Sequence, residues 1–149
     1  MFNLYEHTDK FKLKQHNGQQ YIFDDIRKRY VKLTPEELVR QQVVLYLTEK
    51  KGYSKALIAV EYTLKLNSTT KRCDIVVFDN EGKARIIVEC KAASVKITQA
   101  VFDQIARYNI KLQVDYLIVT NGISHFCFEM DYPNNSYRQI TNSDFLKVR

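Results

Sequence analysis

Apolar and polar positions alternate along much of this chain, and the alternation is interrupted by two stretches with helical spacing. The first opens at Thr34-Pro35-Glu36-Glu37, with Thr34 placed as an N-cap, Pro35 at the first helical position and Glu37 where a capping box wants its acid. That helix is expected to run through ELVRQQVVLYLTEK and stop at Gly52, with Leu38, Val39, Val43, Leu45, Tyr46 and Leu47 forming a broad apolar face for a sheet. ALIAVEYTLKL follows. Its later part sets Val60, Tyr62, Leu64 and Leu66 against Glu61, Thr63 and Lys65, as a half-buried strand would. Asn67-Ser68-Thr69-Thr70 then turns the chain.

The stretch KRCDIVVFDNEGKARIIVECKAA reads as two strands around the turn formers Asp79-Asn80-Glu81-Gly82. The second helix is expected from about Ile97 to Leu112, where Ile97, Val101, Ile105, Tyr108 and Leu112 share one stripe that also holds Gln104. VDYLIVT, an Asn121-Gly122 turn, SHFCFEM, a loop from Asp131 to Ser136, YRQI and a short helix at Ser143 to Val148 complete the chain. Residues 1–20 keep no sustained period, although FNLY and FKLK are candidate edge strands.

The order is helix, three meandering strands, helix, strand and extra C-terminal strands. It predicts an α/β fold with a mixed sheet flanked by helices, the second helix crossing over to a parallel strand. One domain over 1–149 is expected: an extension at 1–20, a core at 21–130, and a strand and tail at 131–149.

Composition adds a direction. Lys and Arg number 23 against 17 Asp and Glu, a net charge of +6 that favours an anionic partner, nucleic acid first, although a merely soluble basic protein fits the same balance. No apolar run approaches the roughly 18 residues of a membrane span, so a cytoplasmic protein without membrane contact is expected. Cys73, Cys90 and Cys127 lie in apparent strands at no metal-ligand spacing and read as reduced packing residues.

The candidate chemistry sits in the central hairpin. Glu89 and Lys91 project to one face of their strand, and the preceding strand brings Asp74 alongside. Two carboxylates held close repel unless a cation intervenes. A hard divalent ion such as Mg2+, with Mn2+ as substitute, prefers oxygen ligands: Asp74, Glu89 and the backbone carbonyl of Cys90 fit that need. Lys91 is then placed to orient a water or meet charge on a phosphate. Its pKa is pulled down by desolvation and a neighbouring metal and up by the carboxylates, and the sequence does not decide between them. Cross-strand ion pairing accounts for Glu-x-Lys equally well in isolation. Gln104 and Tyr108, four apart, share a helix face near this site, although Tyr108 alone also reads as core. Arg27, Lys28 and Arg29 form either a solvated basic turn or a phosphate-contacting patch, and Arg72 either meets phosphate or pairs with a carboxylate. His7, His16 and His125 show no ligand spacing.

Taken in order, LTPEELVRQ, KRCDIVVFD, IIVECKA, QIARYN and YLIVTNG resemble the PD-(D/E)XK nuclease superfamily, and most closely the N-terminal nuclease domain of type I restriction enzyme R subunits in its small free-standing bacterial form. The resemblance covers about residues 20–130. It implies a restriction-endonuclease-like αβββαβ core and metal-dependent endonuclease activity on DNA. By the same resemblance Asp74, Glu89 and Lys91 are the motif residues, Gln104 and Tyr108 the Gln-x-x-x-Tyr element, and Glu37 the acid of the first helix. Cys73 stands where the motif has Pro, and Glu37 is explained as well by its capping position. The ATP-driven translocase of type I R subunits has no counterpart here, since no Gly-rich phosphate loop is present. Cleavage of both strands would favour a homodimer or paired encounters, and restriction-modification subunits are candidate partners. Two other classes fit the sequence: a non-catalytic nucleic-acid-binding or protein-interaction module that keeps the nuclease fold, and an oligomeric scaffold built on its tyrosine-rich strands.

Overall fold

The computed structural model describes residues 8–140, apart from the side chains of Thr8, Leu66, Tyr108 and Ile110. FNLY and the C-terminal helix expected at Ser143 to Val148 fall outside the described residues. The described residues form two sheets. A three-stranded antiparallel sheet is made by β1 (Leu13–His16), β2 (Gln19–Asp24) and β3 (Arg29–Lys32). A six-stranded sheet runs in sequence order through β4 (Ile58–Leu66), β5 (Thr69–Phe78), β6 (Ala84–Cys90), β7 (Tyr116–Thr120), β8 (His125–Asp131) and β9 (Ser136–Ile140). Among the described residues only β6 and β7 pair in parallel, Glu89 opposite Val119, so the expected mixed sheet with its helical crossover is what forms. Among the described residues no helix is long and apolar enough to cross a membrane.

Helix α1 (Pro35–Leu45) starts where the cap predicts, with Thr34 Oγ1 accepting the Glu37 N–H at 3.0 Å. It continues into one π-helical turn, Tyr46–Lys50, before Gly52 turns the chain at φ 74°. Its buried side differs from the expected apolar face. Leu38 is exposed, and Glu37, Arg40, Gln41 and Gln42 are buried beside Val39, Val43 and Val44. Helix α2 (Gln99–Leu112) lies on the opposite face of the sheet, where Ile105 is fully buried and Ile97, Val101 and Leu112 pack around it, as their stripe predicts.

The two helices cap two cores. Val39, Val43 and Leu47 meet Ile75, Val77, Ile86 and Val88 on one face; Ile105 meets Val76, Ile87, Leu117 and Val119 on the other. Cys73, Cys90 and Cys127 are buried and unbridged. Alternation would keep Val60, Tyr62 and Leu64 on one face, but Val60 packs on the α1 side and Tyr62 and Leu64 on the α2 side. The cause is Glu61, whose φ of 54° lies in the left-handed region; the ladder passes from Val60–Ile75 to Tyr62–Cys73 without pairing Glu61 and Asp74. The strand pair therefore changes faces at the level of two acidic residues. Such backbone costs about 1–3 kcal/mol in a non-glycine residue and tends to mark functional positions.

Candidate active site

Asp74 and Glu89 are carried by neighbouring strands, β5 and β6, in the middle of the large sheet, and both are buried. Asp74 Oδ2 accepts the Cys90 N–H at 2.7 Å, and its Oδ1 accepts from Arg40 Nη2 at 2.8 Å. Glu89 Oε1 lies 3.2 Å from Lys91 Nζ, while its Oε2 is buried with no hydrogen-bond partner. The structure thus brings Asp74, Glu89 and Lys91 together. The Cys90 peptide joins them through its N–H, and its thiol packs on the α1-side core.

Burial, reinforced by the neighbouring Asp74 carboxylate, pushes the Glu89 carboxyl up to about 8; Lys91 opposes the shift without cancelling it. For Lys91 burial works to lower the pKa, but Glu89, with Glu36 and Asp74 behind it, outweighs burial and the net shift is upward. Burial also raises the Cys90 thiol.

Helix α1 supplies the rest. Glu37 does not close a capping box. Its carboxylate accepts from Arg27 Nη2 at 2.9 Å on both oxygens, from Arg40 Nη1 at 2.6 Å and from Gln41 Nε2 at 3.0 Å. Arg27 also pairs with Asp24, and reaches Glu61 at 3.2 Å. A buried chain of alternating charge results: Asp24, Arg27, Glu37, Arg40, Asp74. Desolvation works against the Arg40 charge, but Asp74 and Glu37 more than offset it and hold the guanidinium ionised. Glu36, one residue before Glu37, faces the same site; burial and then the nearby Asp74 raise its carboxyl.

Arg27 therefore departs from the expected solvated turn: its side chain is 14% exposed and committed to carboxylates, so it is not available to a phosphate. Lys28 is exposed and pairs with Asp25 at 3.1 Å; Arg29 is exposed on the rim. Arg72 is exposed and lies 3.7 Å from Glu61. Gln104 is half-buried on α2, and Tyr108 belongs to α2 with its side chain outside the described residues. Arg40, Glu36 and Glu61 were not singled out from the sequence. Only Arg40 had a signal there, an arginine one turn after Glu37 on the face turned to the sheet.

An open groove of about 580 Å³ lies between β3, the start of α1 and Glu61; its lining includes Arg29, Tyr30, Lys32, Glu36, Glu37 and Arg40, and it adjoins Asp74 through Arg40 rather than being lined by Asp74, Glu89 or Lys91. The unpartnered Glu89 Oε2 beside a second carboxylate is a donor set that suits a hard cation. Among the described residues, no three or more His, Cys, Asp and Glu side chains are grouped to hold a metal by themselves, so water or substrate oxygens would have to complete such a site.

No curated protein matches the chain. Among solved structures it is similar to a fragment of a putative HsdR subunit of a type I restriction enzyme from Vibrio vulnificus YJ016, at 20% identity and a TM-score of 0.48, with 72% of this chain and 23% of that chain covered. The chain thus spans about a quarter of that neighbour. Residues 35–143, which carry α1, the six-stranded sheet, α2 and the whole Asp74–Glu89–Lys91 cluster, match the family model described as type I restriction enzyme R protein N terminus. With that match spanning most of its length, the chain belongs to the family of type I restriction enzyme R protein N termini.

Proposed function

We propose that this protein hydrolyses phosphodiester bonds of DNA at a site made by Asp74, Glu89 and Lys91, with Mg2+ as its cofactor and Mn2+ able to substitute. The observation that carries this reading is the buried, unpartnered Glu89 Oε2 next to Asp74, with Lys91 on the other oxygen of Glu89. Asp74, Glu89 and the Cys90 carbonyl would hold the ion. When bound, it supplies Lewis-acid polarisation of the phosphate and a lowered pKa for a bound water. Lys91, more exposed than Glu89 and with its pKa raised, would meet a phosphate oxygen or orient the attacking water with its ammonium. Arg40 and the Cys90 N–H fix the carboxylate plane of Asp74 from two directions. Glu37 acts through Arg40, and Gln104 with Tyr108 completes the helical side of the site. Arg72 and Arg29 at the rim are candidates for phosphate contact. Lys28 is paired with Asp25, and Arg27 is turned inward.

Cutting both strands asks for two such sites, from a homodimer or from paired encounters on one duplex. Restriction-modification subunits would supply target recognition or translocation, and the setting is the cytoplasm, where DNA is reached. The test is nicking of supercoiled plasmid with Mg2+ or Mn2+. Wild type should nick, and Asp74→Ala and Lys91→Ala should lose nicking while retaining a folded spectrum. Equal nicking by all three would remove the reading.

A second reading is supported by one observation: both Asp74 oxygens are already engaged, by Arg40 and by the Cys90 N–H. A nucleic-acid-binding or protein-interaction module that keeps the fold without turnover would look like this. It predicts DNA binding that persists in EDTA, and calorimetry with Mg2+ and Mn2+ that detects no metal site.

A further inference from the structure

The three N-terminal strands, at residues 13–32, lie before the family match, which begins at residue 35. Their two faces differ. Ile22, Asp24 and Val31 are buried toward the body of the protein. The other face carries Lys12, Lys14, Tyr21, Phe23, Tyr30 and Lys32. Register aligns them: Lys14 opposes Tyr21, Tyr21 opposes Lys32, and Phe23 opposes Tyr30. The lysines are exposed and the rings half-buried. Lys14 Nζ rests 4.3 Å from the Tyr30 ring centroid and Lys12 Nζ 5.6 Å from that of Phe23; the two rings meet edge to face at 5.2 Å. Ammonium groups laid on aromatic faces lose part of their rotamer freedom before any ligand arrives. Among the described residues none of Lys12, Lys14 and Lys32 has a carboxylate partner, whereas Lys10, Lys28 and Lys55 do. The acid of this sheet, Asp24, points the other way.

We infer that this lysine-and-ring face is a docking surface for the backbone of duplex DNA, continuous with the groove whose Arg40 and Glu36 adjoin the Asp74–Glu89–Lys91 site. The occupant follows from charge: unpaired, positioned cations at strand spacing suit a polyanion that carries phosphates at regular intervals. The Phe23 and Tyr30 rings are covered by ammonium groups and so serve as rests for the lysines, which favours backbone contact over base stacking there. Continuity points the same way, because Tyr21, Tyr30 and Lys32 line the groove that also holds Glu36, Glu37 and Arg40. The inference rests on the reading of the protein as one that acts on DNA.

The experiment is fluorescence anisotropy of a labelled duplex with the full chain, in EDTA so that no cleavage intervenes, over a series of salt concentrations. Lys14→Gln with Lys32→Gln is compared with Lys51→Gln with Lys83→Gln, an equal charge change at the end of the molecule where Gly52 and Tyr53 lie near Asp79 and Asn80. The sheet double is expected to bind about tenfold more weakly, and its log–log salt slope to shrink by about 1.8, the loss of two phosphate contacts. The control should keep the wild-type slope. Equal losses in both doubles, or none in the sheet double while wild type binds, overturn the inference and leave the proposed activity standing. Failure of wild type to bind any duplex overturns both.

Discussion

The β5–β6 hairpin has acids and bases at both ends, and the two ends treat them in opposite ways. At the turn, Asp79 accepts the N–H groups of Glu81 and Lys83 at 2.9 Å each and lies 3.7 Å from Arg85. Those backbone donors, chiefly that of Lys83, hold its carboxyl below the ordinary range. At the other end Glu89 is buried beside Asp74 and its carboxyl rises to about 8. The residue types are similar; the difference is access to water and the sign of the nearest neighbour. Water-exposed ends spend acids on turn geometry, and such pairs contribute little stability. A buried end that gathers acids raises their pKa and needs cations, and here Arg40 and Lys91 provide them within the chain.

The sharpest way to break this contrast is at Arg40. Arg40→Met removes the guanidinium that bridges Glu37 and Asp74, leaving buried carboxylates uncompensated, at an expected cost of about 3–5 kcal/mol read as a lower urea midpoint. Arg40→Lys should recover only part of this, since an ammonium cannot present two parallel donors to two acids. A loss below about 1 kcal/mol would mean the bridge is idle.

An effect spread across pH rather than lost at once comes from Glu89. Its carboxyl titrates near 4.5 when unfolded and near 8 when folded, so between those values the folded state keeps a proton that the unfolded state has released. Stability is therefore fullest below the lower value and is lost as pH rises through the higher one. The slope should reach on the order of 1 kcal/mol per pH unit in EDTA, and Glu89→Gln should flatten it. Melting temperatures across that window check this. A wild-type profile as flat as the variant's would show the carboxyl to be ordinary.

The smallest effect is expected at the turn. Asp79→Ala gives up two backbone acceptor contacts in water and should lower the melting temperature less than either change above, without altering its pH dependence near neutrality. The lowered carboxyl of Asp79 contributes stability that is present at neutral pH and lost only as pH falls through its depressed value, so its window lies on the acid side of that of Glu89.

Much of this was legible along the chain. Thr34-Pro35 capped its helix, the Asp79–Gly82 turn closed its hairpin, and the Ile97–Leu112 stripe buried the face it predicted. These signals are local, so the sequence carries them whole. Of the N-terminal sheet the sequence period marks only FKLK, which overlaps β1, although Asn17-Gly18, with φ values of 50° and 77°, sits between LKQH and QQYIFD as a two-residue hairpin turn. Short strands with a mixed face give a weak period, and that dipeptide was the signal to read. Arg27 was misplaced for another reason: a basic triplet reads as solvated until the acids that neutralise it, Glu37 and Glu61, are brought in from distant strands and helices.

By itself the sequence determined the order of elements, the faces of α2, the turns and the proximity of Asp74, Glu89 and Lys91, because each follows from periods of two or 3.6 residues and from short-range backbone chemistry. Tertiary structure decided what those periods cannot express. It rolled β4 and β5 between cores at Glu61 and Asp74, drew Glu37 from its cap into a buried ion chain, and left Glu89 Oε2 without a partner. Charges act through space and through the water that packing removes, so their partners and their pKa values are fixed only when separate elements close around them.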